Sequence, residues 1–251
     1  HGPGVHFAQN GTFATDMTKS SSAAVESRFP IRGWFADCPP RFRREFLALA
    51  RPKSYAAGSV IYQAGEVGQD VFGISSGVVT MQSRLTHPDA VLLHMLRPGE
   101  WFGTVPVLLK RDRRITAVAR TDVNLLRVPG DELRALLKRH PEWFAELGRD
   151  AVYNMDLAMQ LAADLLIRDA SARCAAVLLR LAGRRWASGP DAGLPSEIPA
   201  SQSEVAMLCN VSRNTFSRIL RDFSSRRFVT VSYRSLTVSD PASLRELADS
   251  G

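Results

Sequence analysis

The chain contains 251 residues, 45% of them hydrophobic, which is enough to bury a sizeable core and to form two modest domains. Its formal net charge is +7, and this basic excess favours an anionic partner without identifying it. Three widely spaced cysteines and the lack of any long apolar run exclude a disulfide framework, a cysteine metal cluster and a membrane span, so we expect a soluble cytoplasmic protein.

The N-terminal segment, residues 1–30, is predicted to be disordered. It is rich in small and polar residues and shows no sustained apolar period. Met17 is a candidate for the natural start, so the residues before it are not expected to belong to the fold. A short amphipathic helix is predicted over residues 41–51, because Phe42 and Phe46 fall one turn apart on its apolar face.

Residues 31–140 are predicted to form a β-rich domain. From about residue 58 the sequence changes to short β-branched runs separated by glycine and other turn residues. The runs cover residues 58–62, 71–74, 77–81, 91–96, 115–118 and 123–128. Short strands at near-regular spacing are typical of an antiparallel sandwich or barrel.

One motif in this domain, Gly73-Ile-Ser-Ser-Gly77, matches the G-x-S-x-G pattern of a hydrolase nucleophile. A nucleophile elbow turns from a strand into a helix, whereas Val78 and Val79 continue as a second strand. We therefore interpret the motif as a hairpin turn. The sequence contains no Walker loop and no Cys/His ligand cluster, so neither a catalytic nor a metal site is predicted and the protein is not expected to be an enzyme.

A long dimerisation helix is predicted over residues 141–168, with Pro141 in its first turn. Seven residues recur at alternating steps of three and four, as in a coiled-coil seam. They are Phe144, Leu147, Ala151, Asn154, Ala158, Leu161 and Leu165. The alternative is a stripe that packs on its own domain. Asn154 favours a dimer, because a lone Asn in such a seam commonly fixes the register of two helices and is costly in a monomer core.

The C-terminal domain is predicted over residues 169–246. Asp169 is a suitable N-cap for a helix over residues 170–181, and a break at Arg168-Asp169 would act as a hinge between the domains. Residues 183–195 contain Gly, Pro and Asp and are predicted to form an exposed connection.

Two short helices joined by a tight turn follow. Ser201-Gln-Ser-Glu204 is a capping box, so the first helix starts at Gln202. Asn210 enters the left-handed region readily and stands where the chain must turn. Ser212 caps the second helix, whose buried face consists of Phe216, Ile219, Leu220 and Phe223.

The opposite face of the second helix suits a DNA groove. It carries Arg213, Asn214, Ser217, Arg218 and Arg221, with no carboxylate among them. Arg bonds guanine bidentately and Asn bonds adenine in the same way, so this face is typical of major-groove recognition. The residues beyond it, 228–232 and 235–238, are predicted to form a wing hairpin that brings Arg234 near phosphate. Residues 199–235 as a whole carry a net charge of +4.

At this point the chain resembles the cyclic-AMP receptor protein/FNR family over about residues 40–240. Gly58-Ser-Val-Ile, Gly65-Glu66, Val71-Phe-Gly-Ile-Ser-Ser-Gly77 and Arg97-Pro-Gly-Glu-Trp-Phe-Gly103 are similar to that family's β-roll signature, and residues 201–204 and 211–220 are similar to its helix-turn-helix. The resemblance implies an α+β fold: a double-stranded β-helix (an eight-stranded jelly roll of the cyclic-nucleotide-binding type), a dimerisation helix and a winged helix-turn-helix.

The resemblance also implies DNA contacts. Arg213 and Arg218 match the family's recognition-helix arginines, and Ser201 and Ser203 match positions that contact phosphate. Many members have Glu where this chain has Asn214, so we expect the DNA half-site to carry a different base at the position that this side chain contacts. With the contacts expected from the helix and wing, the predicted set is Ser201, Ser203, Ser212, Arg213, Asn214, Ser217, Arg218 and Arg234.

The effector pocket is where the match to the family weakens. Cyclic-nucleotide-binding members carry Gly-Glu, Arg-Ser and Thr-Ser at three positions, which bind the ribose, the phosphate and the base. This chain has Gly103-Thr104 at the first, Arg113-Arg114 at the second and Ala158-Met159 at the third. Either arginine is a candidate for phosphate. Cyclic AMP is therefore one candidate effector, and a different small anion or no effector is the favoured alternative.

The predicted function is a homodimeric transcription regulator that binds an imperfect palindrome in double-stranded DNA and acts on RNA polymerase. The alternative is a cyclic-nucleotide-binding module that controls a partner protein without touching DNA. Haem sensing would use His87, His94 or His140, although isolated histidines are more commonly ordinary surface or core residues. Cys209 is interpreted as a small buried residue rather than a redox sensor.

Overall fold

The N-terminal half of the protein folds into two antiparallel four-stranded sheets. The computed structural model describes residues 29–83, 90–185 and 197–251. In the first two of these ranges the strands are β1 (Arg51–Tyr55), β2 (Val60–Tyr62), β3 (Val71–Ser76), β4 (Val79–Ser83), β5 (Val91–Leu96), β6 (Trp101–Phe102), β7 (Thr116–Ala119) and β8 (Val123–Val128). One sheet has the order β1-β8-β3-β6 and the other β2-β7-β4-β5. This is the expected jelly roll, and residues 51–128 are called the β-roll below.

The start of the β-roll corrects the sequence prediction. The first helix, α1 (Pro40–Ala48), ends earlier than predicted, and Arg51 begins strand β1 instead of ending a helix. Strand β1 lies at the edge of its sheet, pairs with β8 and is mostly exposed. An exposed edge strand needs no apolar alternation and tolerates Pro52, so it lacks the pattern by which strands are recognised.

The Gly73–Gly77 motif is not a hairpin turn. Its first four residues belong to strand β3, and Gly77 takes a left-handed φ of +87° before β4 begins. Strands β3 and β4 lie in different sheets, so the turn at Gly77 carries the chain from one sheet to the other. A Cβ atom at Gly77 would lie 2.3 Å from the carbonyl oxygen of Asp122, which requires glycine here.

An aromatic cluster joins the β-roll to the helices that precede and follow it. The rings of Phe46 and Trp101 meet edge to face with centroids 4.9 Å apart, and Phe35 lies against both. Three further helices surround this cluster: α2 (Thr104–Leu109), α3 (Gly130–Arg139) and α4 (Phe144–Leu166). A 3-10 turn over Pro141–Trp143 precedes α4, so the predicted long helix begins three residues later than expected.

The predicted dimer seam on the long helix α4 is wrong at one residue, Leu147. Leu147 is fully buried in the same core as the aromatic cluster, because the first turns of α4 pack against their own domain. Phe144, on another side of the helix, is 49% exposed. Ala151, Ala158 and Leu165 are also exposed, so the rest of the predicted seam stays a prediction.

The C-terminal unit consists of a helical layer and a small sheet. Its elements are α5 (Ala170–Leu181), β9 (Glu197–Ile198), α6 (Gln202–Leu208), α7 (Arg213–Ser225), β10 (Val229–Ser232), β11 (Ser235–Val238) and α8 (Pro241–Asp249). The Asp169 carboxylate accepts a hydrogen bond of 2.8 Å from the Ala172 amide, which confirms the predicted N-cap. Ile167 is extended between α4 and α5, so the helix breaks one residue before the predicted position at Arg168-Asp169, and the action of this break as a hinge stays a prediction. Residues 1–28 and most of the predicted connection over 183–195 lie outside the described residues.

The C-terminal unit packs directly on the β-roll. Val78, Leu92 and Met95 of the β-roll belong to the same buried cluster as the helices of the C-terminal unit. Arg97 extends from the end of β5 and donates 2.9 Å and 2.7 Å hydrogen bonds to the carbonyl oxygens of Leu181 and Glu197. Apolar contact and buried hydrogen bonds therefore both fix the position of the C-terminal unit.

Candidate nucleic-acid interface and effector pocket

The first helix of the helix-turn-helix, α6, begins with the predicted capping box. Ser201 Oγ accepts a hydrogen bond from the Glu204 amide at 3.3 Å, and Glu204 Oε2 accepts one from the Ser201 amide at 2.8 Å. The helix ends near Cys209, which is fully buried as expected, and Asn210 follows with a φ of +50°. Local sequence signals thus fix both ends of α6 and the turn after it.

The second helix, α7, presents one apolar and one basic face. Ser212 Oγ accepts a hydrogen bond from the Thr215 amide at 3.1 Å and caps the helix as predicted. The buried residues are Phe216, Ile219, Leu220 and Phe223, as predicted. The amphipathic pattern therefore determines which side of α7 faces the solvent.

On the solvent side of α7, Arg213 and Arg218 have no acidic partner within the described part of the chain. Arg213, Asn214 and Arg218 are exposed, and Ser217 is half-buried. No ion pair among the described residues involves Arg213 or Arg218. Asp222, near the C-terminal end of α7, pairs instead with Arg226, which follows the helix. Exposed guanidinium groups without carboxylates leave their donors available to a nucleic acid.

The predicted wing is present as a hairpin of β10 and β11. Ser232 pairs with Ser235, so Tyr233 and Arg234 form the tip, and Arg234 has a φ of +53°. Tyr233 is 92% exposed, although sequence reasoning did not select it as a site residue. The signal that could have found it is the position of an aromatic residue beside an arginine in a two-residue hairpin loop.

In the candidate effector pocket, Arg113 and not Arg114 points into the β-roll. Arg113 is 5% exposed, and its guanidinium donates to the carbonyl oxygens of Gly103 at 3.1 Å and Asp70 at 2.6 Å. It also stacks 4.1 Å from the ring centroid of Tyr62. Burial lowers the pKa of Arg113, while its interactions with Tyr62 and Asp70 oppose that shift. Arg114 is exposed.

Thr104 faces a carboxylate from the long helix. Its hydroxyl donates to Asp150 Oδ2, and Asn154 Nδ2 donates to Asp150 Oδ1 at 3.0 Å. Burial raises the pKa of Asp150 to about 6, although both hydrogen bonds oppose that shift. Ala158 and Met159 are exposed further along α4, so the structure does not bring them to Thr104 within the chain.

The two histidines that the structure describes, His94 and His140, do not form a shared site. Burial, together with repulsion from Arg180 and Arg97, lowers the pKa of His94 to about 3, so this side chain is a neutral core residue. His140 stacks on Trp143, and His87 lies outside the described residues. In the described ranges, no three His, Cys, Asp or Glu side chains come together as a metal site would require. Among the same residues, no helix has the length and apolar character needed to cross a bilayer.

A charged contact joins the β-roll to the start of α6. Both outer nitrogens of the Arg120 guanidinium donate to the Glu204 carboxylate at 2.9 Å, and Nε donates to the carbonyl oxygen of Pro199. Burial opposes ionisation of Glu204, but the hydrogen bonds from Ser201 and Arg120 outweigh it and lower the pKa of this carboxyl. The same carboxylate therefore serves the capping box and the domain contact. Sequence reasoning missed this pair because nothing local links residues so far apart in the chain.

Comparisons with known proteins agree with this architecture. Residues 52–140 match the cyclic nucleotide-binding domain, and residues 172–247 match the Crp-like helix-turn-helix domain. The CRP-like cAMP-activated global transcriptional regulator of Mycobacterium tuberculosis is 27% identical over 79% of this chain and 88% of its own length. The cyclic AMP receptor protein of Thermus thermophilus is 28% identical over 80% of this chain and 90% of its own length.

Solved structures show the same fold. FixK2 of Bradyrhizobium japonicum has a TM-score of 0.63 at 20% identity and covers 79% of this chain and 96% of its own. Fold, interface and sequence matches together define a DNA-binding transcription regulator with a β-roll and a winged helix-turn-helix. The chain belongs to the Crp-Fnr family. Members of this family are in general regulators and not enzymes.

Proposed function

We propose that the chain binds an imperfect palindrome in double-stranded DNA as a homodimer and regulates transcription there, in the cytoplasm and through RNA polymerase. The observation that carries this proposal is the exposed face of α7, where Arg213, Asn214 and Arg218 have no carboxylate partner among the described residues. Arg recognises guanine and Asn recognises adenine in the major groove. The proposed contacts are Ser201, Ser203, Ser212, Arg213, Asn214, Ser217, Arg218 and Arg234.

The proposed dimer interface is an apolar stripe on the exposed side of α4. It differs from the seam predicted from the sequence, because Leu147 is buried and Asn154 bonds to Asp150 of its own helix. Phe144 and Ala151 are kept and the other five positions move on by one residue, so that steps of three and four are preserved: Phe144, Gly148, Ala151, Met155, Met159, Ala162 and Leu166. Met155 is 54% exposed, Met159 60% and Leu166 80%. A row of exposed apolar side chains on a long helix supports association with a second copy of the same helix. A two-fold dimer would present two α7 helices to successive major grooves, about 34 Å apart.

We propose that the effector pocket does not bind cyclic AMP in the manner of the family's cyclic-nucleotide-binding members. Thr104 supplies no charge for a ribose hydroxyl, and the Asp150 carboxylate beside it already accepts hydrogen bonds from Thr104 and Asn154. The Arg113 guanidinium donates to two backbone carbonyls, so part of its hydrogen-bonding capacity is already used within the protein. Calorimetry against cyclic AMP, cyclic GMP and small organic acids tests this proposal, and tight binding of cyclic AMP would contradict it.

DNA binding is tested with the double variant Arg213→Ala/Arg218→Ala. Sites are first selected from a random duplex pool with the wild-type protein, and affinity is then measured by fluorescence anisotropy. The matched control is Arg44→Ala/Arg139→Ala, which removes two exposed arginines outside the C-terminal unit. We expect the first pair to lose sequence-specific binding by at least about a hundredfold and the control to bind nearly normally. Wild-type protein that ignores every duplex at low salt would favour a module that controls a partner protein.

A further inference from the structure

The contact between Arg120 and Glu204 differs from an ordinary surface ion pair. The two side chains are 21% and 33% exposed, and both carboxylate oxygens meet the guanidinium fork at 2.9 Å. Such bidentate, charge-assisted pairs are stronger and more directional than single contacts. Because Nε also donates to the Pro199 carbonyl, the Arg120 side chain is bonded to two points just before and within α6.

The contact lies on the part of the C-terminal unit that is proposed to meet DNA phosphate. Ser201 is half-buried, and its amide and hydroxyl both donate to Glu204 Oε2, the oxygen that also accepts from Arg120. A phosphate approaching the Ser201 end of α6 would therefore meet the β-roll surface at Arg120, the residue that follows β7. The wing also lies next to the β-roll at this point, because Arg234 lines one side of a cleft whose other side is formed by the β-roll.

That cleft separates the two domains beside the charged contact. It has a volume of about 340 Å³ and is lined by Gly58, Thr80, Gln82, Val118, Ala119, Arg120, Pro199 and Arg234. An open cleft means that the two surfaces are not close-packed at this point. Beside the cleft, discrete hydrogen bonds hold the start of α6 to the β-roll, and Arg120 makes three of them. They act in addition to the apolar cluster and the Arg97 hydrogen bonds elsewhere between the two domains.

We infer that Arg120 is a positioning residue for DNA binding, and that its contact with Glu204 holds the C-terminal unit in a docked arrangement in which Ser201 and Arg234 face the β-roll instead of DNA. Breaking the contact weakens this docking, shifts the population toward arrangements that meet both half-sites and increases the affinity for DNA. This inference rests on the proposed function. Arg120 belongs to the β-roll and is far from α7 in the sequence, yet it would influence how the helix-turn-helix binds DNA.

The test compares Arg120→Ala with Arg127→Ala in the full-length chain. Arg127 pairs with Asp70 at 2.6 Å within the β-roll, so its loss removes the same charge without touching the C-terminal unit. We expect Arg120→Ala to bind the selected duplex at least about fivefold more tightly than wild type, and Arg127→Ala to bind no more tightly than wild type. Loss of an arginine alone weakens binding to a polyanion, so a gain in affinity cannot come from charge.

Unchanged or weaker binding by folded Arg120→Ala would overturn the inference. If Arg120→Ala does not fold, the affinity of Glu204→Gln for the selected duplex is measured instead, and tighter binding than wild type is expected. Gln retains an oxygen for the Ser201 amide and removes the charge that Arg120 binds. Hydrogen exchange of the α6 amides without DNA is measured in parallel, and faster exchange in Arg120→Ala than in Arg127→Ala is expected. If no form of the protein binds DNA, the proposed function fails. Equal hydrogen exchange in the two variants would independently contradict the inference that the Arg120–Glu204 contact holds the C-terminal unit in its docked arrangement.

Discussion

Asn154 Nδ2 donates a hydrogen bond of 3.0 Å to Asp150 Oδ1, one turn earlier on the same helix. An Asn that fixes the register of a coiled coil instead bonds to its counterpart on the partner helix. We therefore expect Asn154→Ala to lower the free energy of unfolding by about 1 kcal/mol, because an oxygen of Asp150 loses its donor. Its oligomeric state should not change. Chemical denaturation and sedimentation measure the two effects, and a change in subunit number would restore Asn154 to the seam.

Met159 belongs to the exposed stripe of α4 and is 60% exposed in the single chain. If this stripe forms the dimer interface, Met159→Glu places two like charges in an apolar contact. We expect the dimer to dissociate in sedimentation experiments and the affinity for a palindromic duplex to fall at least about tenfold, because the two half-sites are then bound independently. Val67→Glu is the matched control, since Val67 is 83% exposed in a loop of the β-roll. A dimeric Met159→Glu protein would contradict the proposed interface.

The carboxyl of Asp150 predicts a dependence of stability on pH. Its pKa rises from 3.8 to about 6 on folding, mainly through burial. Between those values the folded protein binds more protons than the unfolded chain, so the free energy of unfolding falls as the pH rises, by at most about 1 kcal/mol per pH unit from this group. Asp150→Asn removes this contribution. Its stability relative to wild type should therefore increase between about pH 4 and about pH 6.

The design of this variant preserves the local hydrogen bonds. In Asp150→Asn the side-chain oxygen can accept from Asn154 Nδ2, which keeps its bond to the backbone carbonyl of residue 150, and the new NH2 group can donate to the Thr104 hydroxyl, which accepts as well as donates. Urea denaturation of both proteins across this pH range gives the comparison, and titrating groups common to both, such as Glu100, cancel in the difference. A difference in stability that stays constant with pH would show that Asp150 does not titrate in this range.

Arg113 and Arg114 are adjacent arginines with opposite surroundings. Arg113 bonds to the carbonyl oxygens of Gly103 and Asp70, and Arg114 is exposed. We expect Arg113→Ala to lower the free energy of unfolding by about 2 kcal/mol, because two carbonyls lose a charged donor. Arg114→Ala should change it by less than about 0.5 kcal/mol. Urea denaturation distinguishes the two, and equal effects would contradict a structural role for Arg113.

The helix-turn-helix could be predicted closely from the sequence because its signals are local. Ser201 with Glu204 starts α6, Asn210 makes the turn and Ser212 starts α7, each within a few residues of the group it bonds. Strand β1 could not be predicted in this way, because an exposed edge strand carries no apolar alternation. The pairing of β1 with β8 joins residues far apart in the sequence.

The contacts that sequence reasoning missed are also long-range. Asp150 reaches Thr104 and Arg120 reaches Glu204 only after the β-roll, α4 and α6 have packed together. The spacing of apolar residues on α4 correctly predicted a helix, but it could not reveal that Leu147 turns toward its own domain. Periodicity identifies a face of a helix, whereas the element that covers this face is determined by tertiary packing.

Asn214 provides the most specific prediction about DNA recognition. It is exposed on α7, next to Arg213. Asn bonds to adenine N6 and N7, whereas Glu accepts from cytosine N4, so sites selected by the wild-type protein should carry adenine at the facing position and sites selected by Asn214→Glu should carry cytosine. We expect the preference between the two bases to change by about tenfold or more.

The added negative charge of Asn214→Glu lowers its affinity for every duplex, so the decisive quantity is the ratio of affinities for the two bases and not either affinity alone. Arg234→Ala serves as the control, because a phosphate contact at the tip of the wing carries no base information. It should weaken binding uniformly across sequences and reduce the salt dependence by about one counterion, leaving the base preference intact. Selected sites in which wild type and Asn214→Glu prefer the same base would show that Asn214 does not read it.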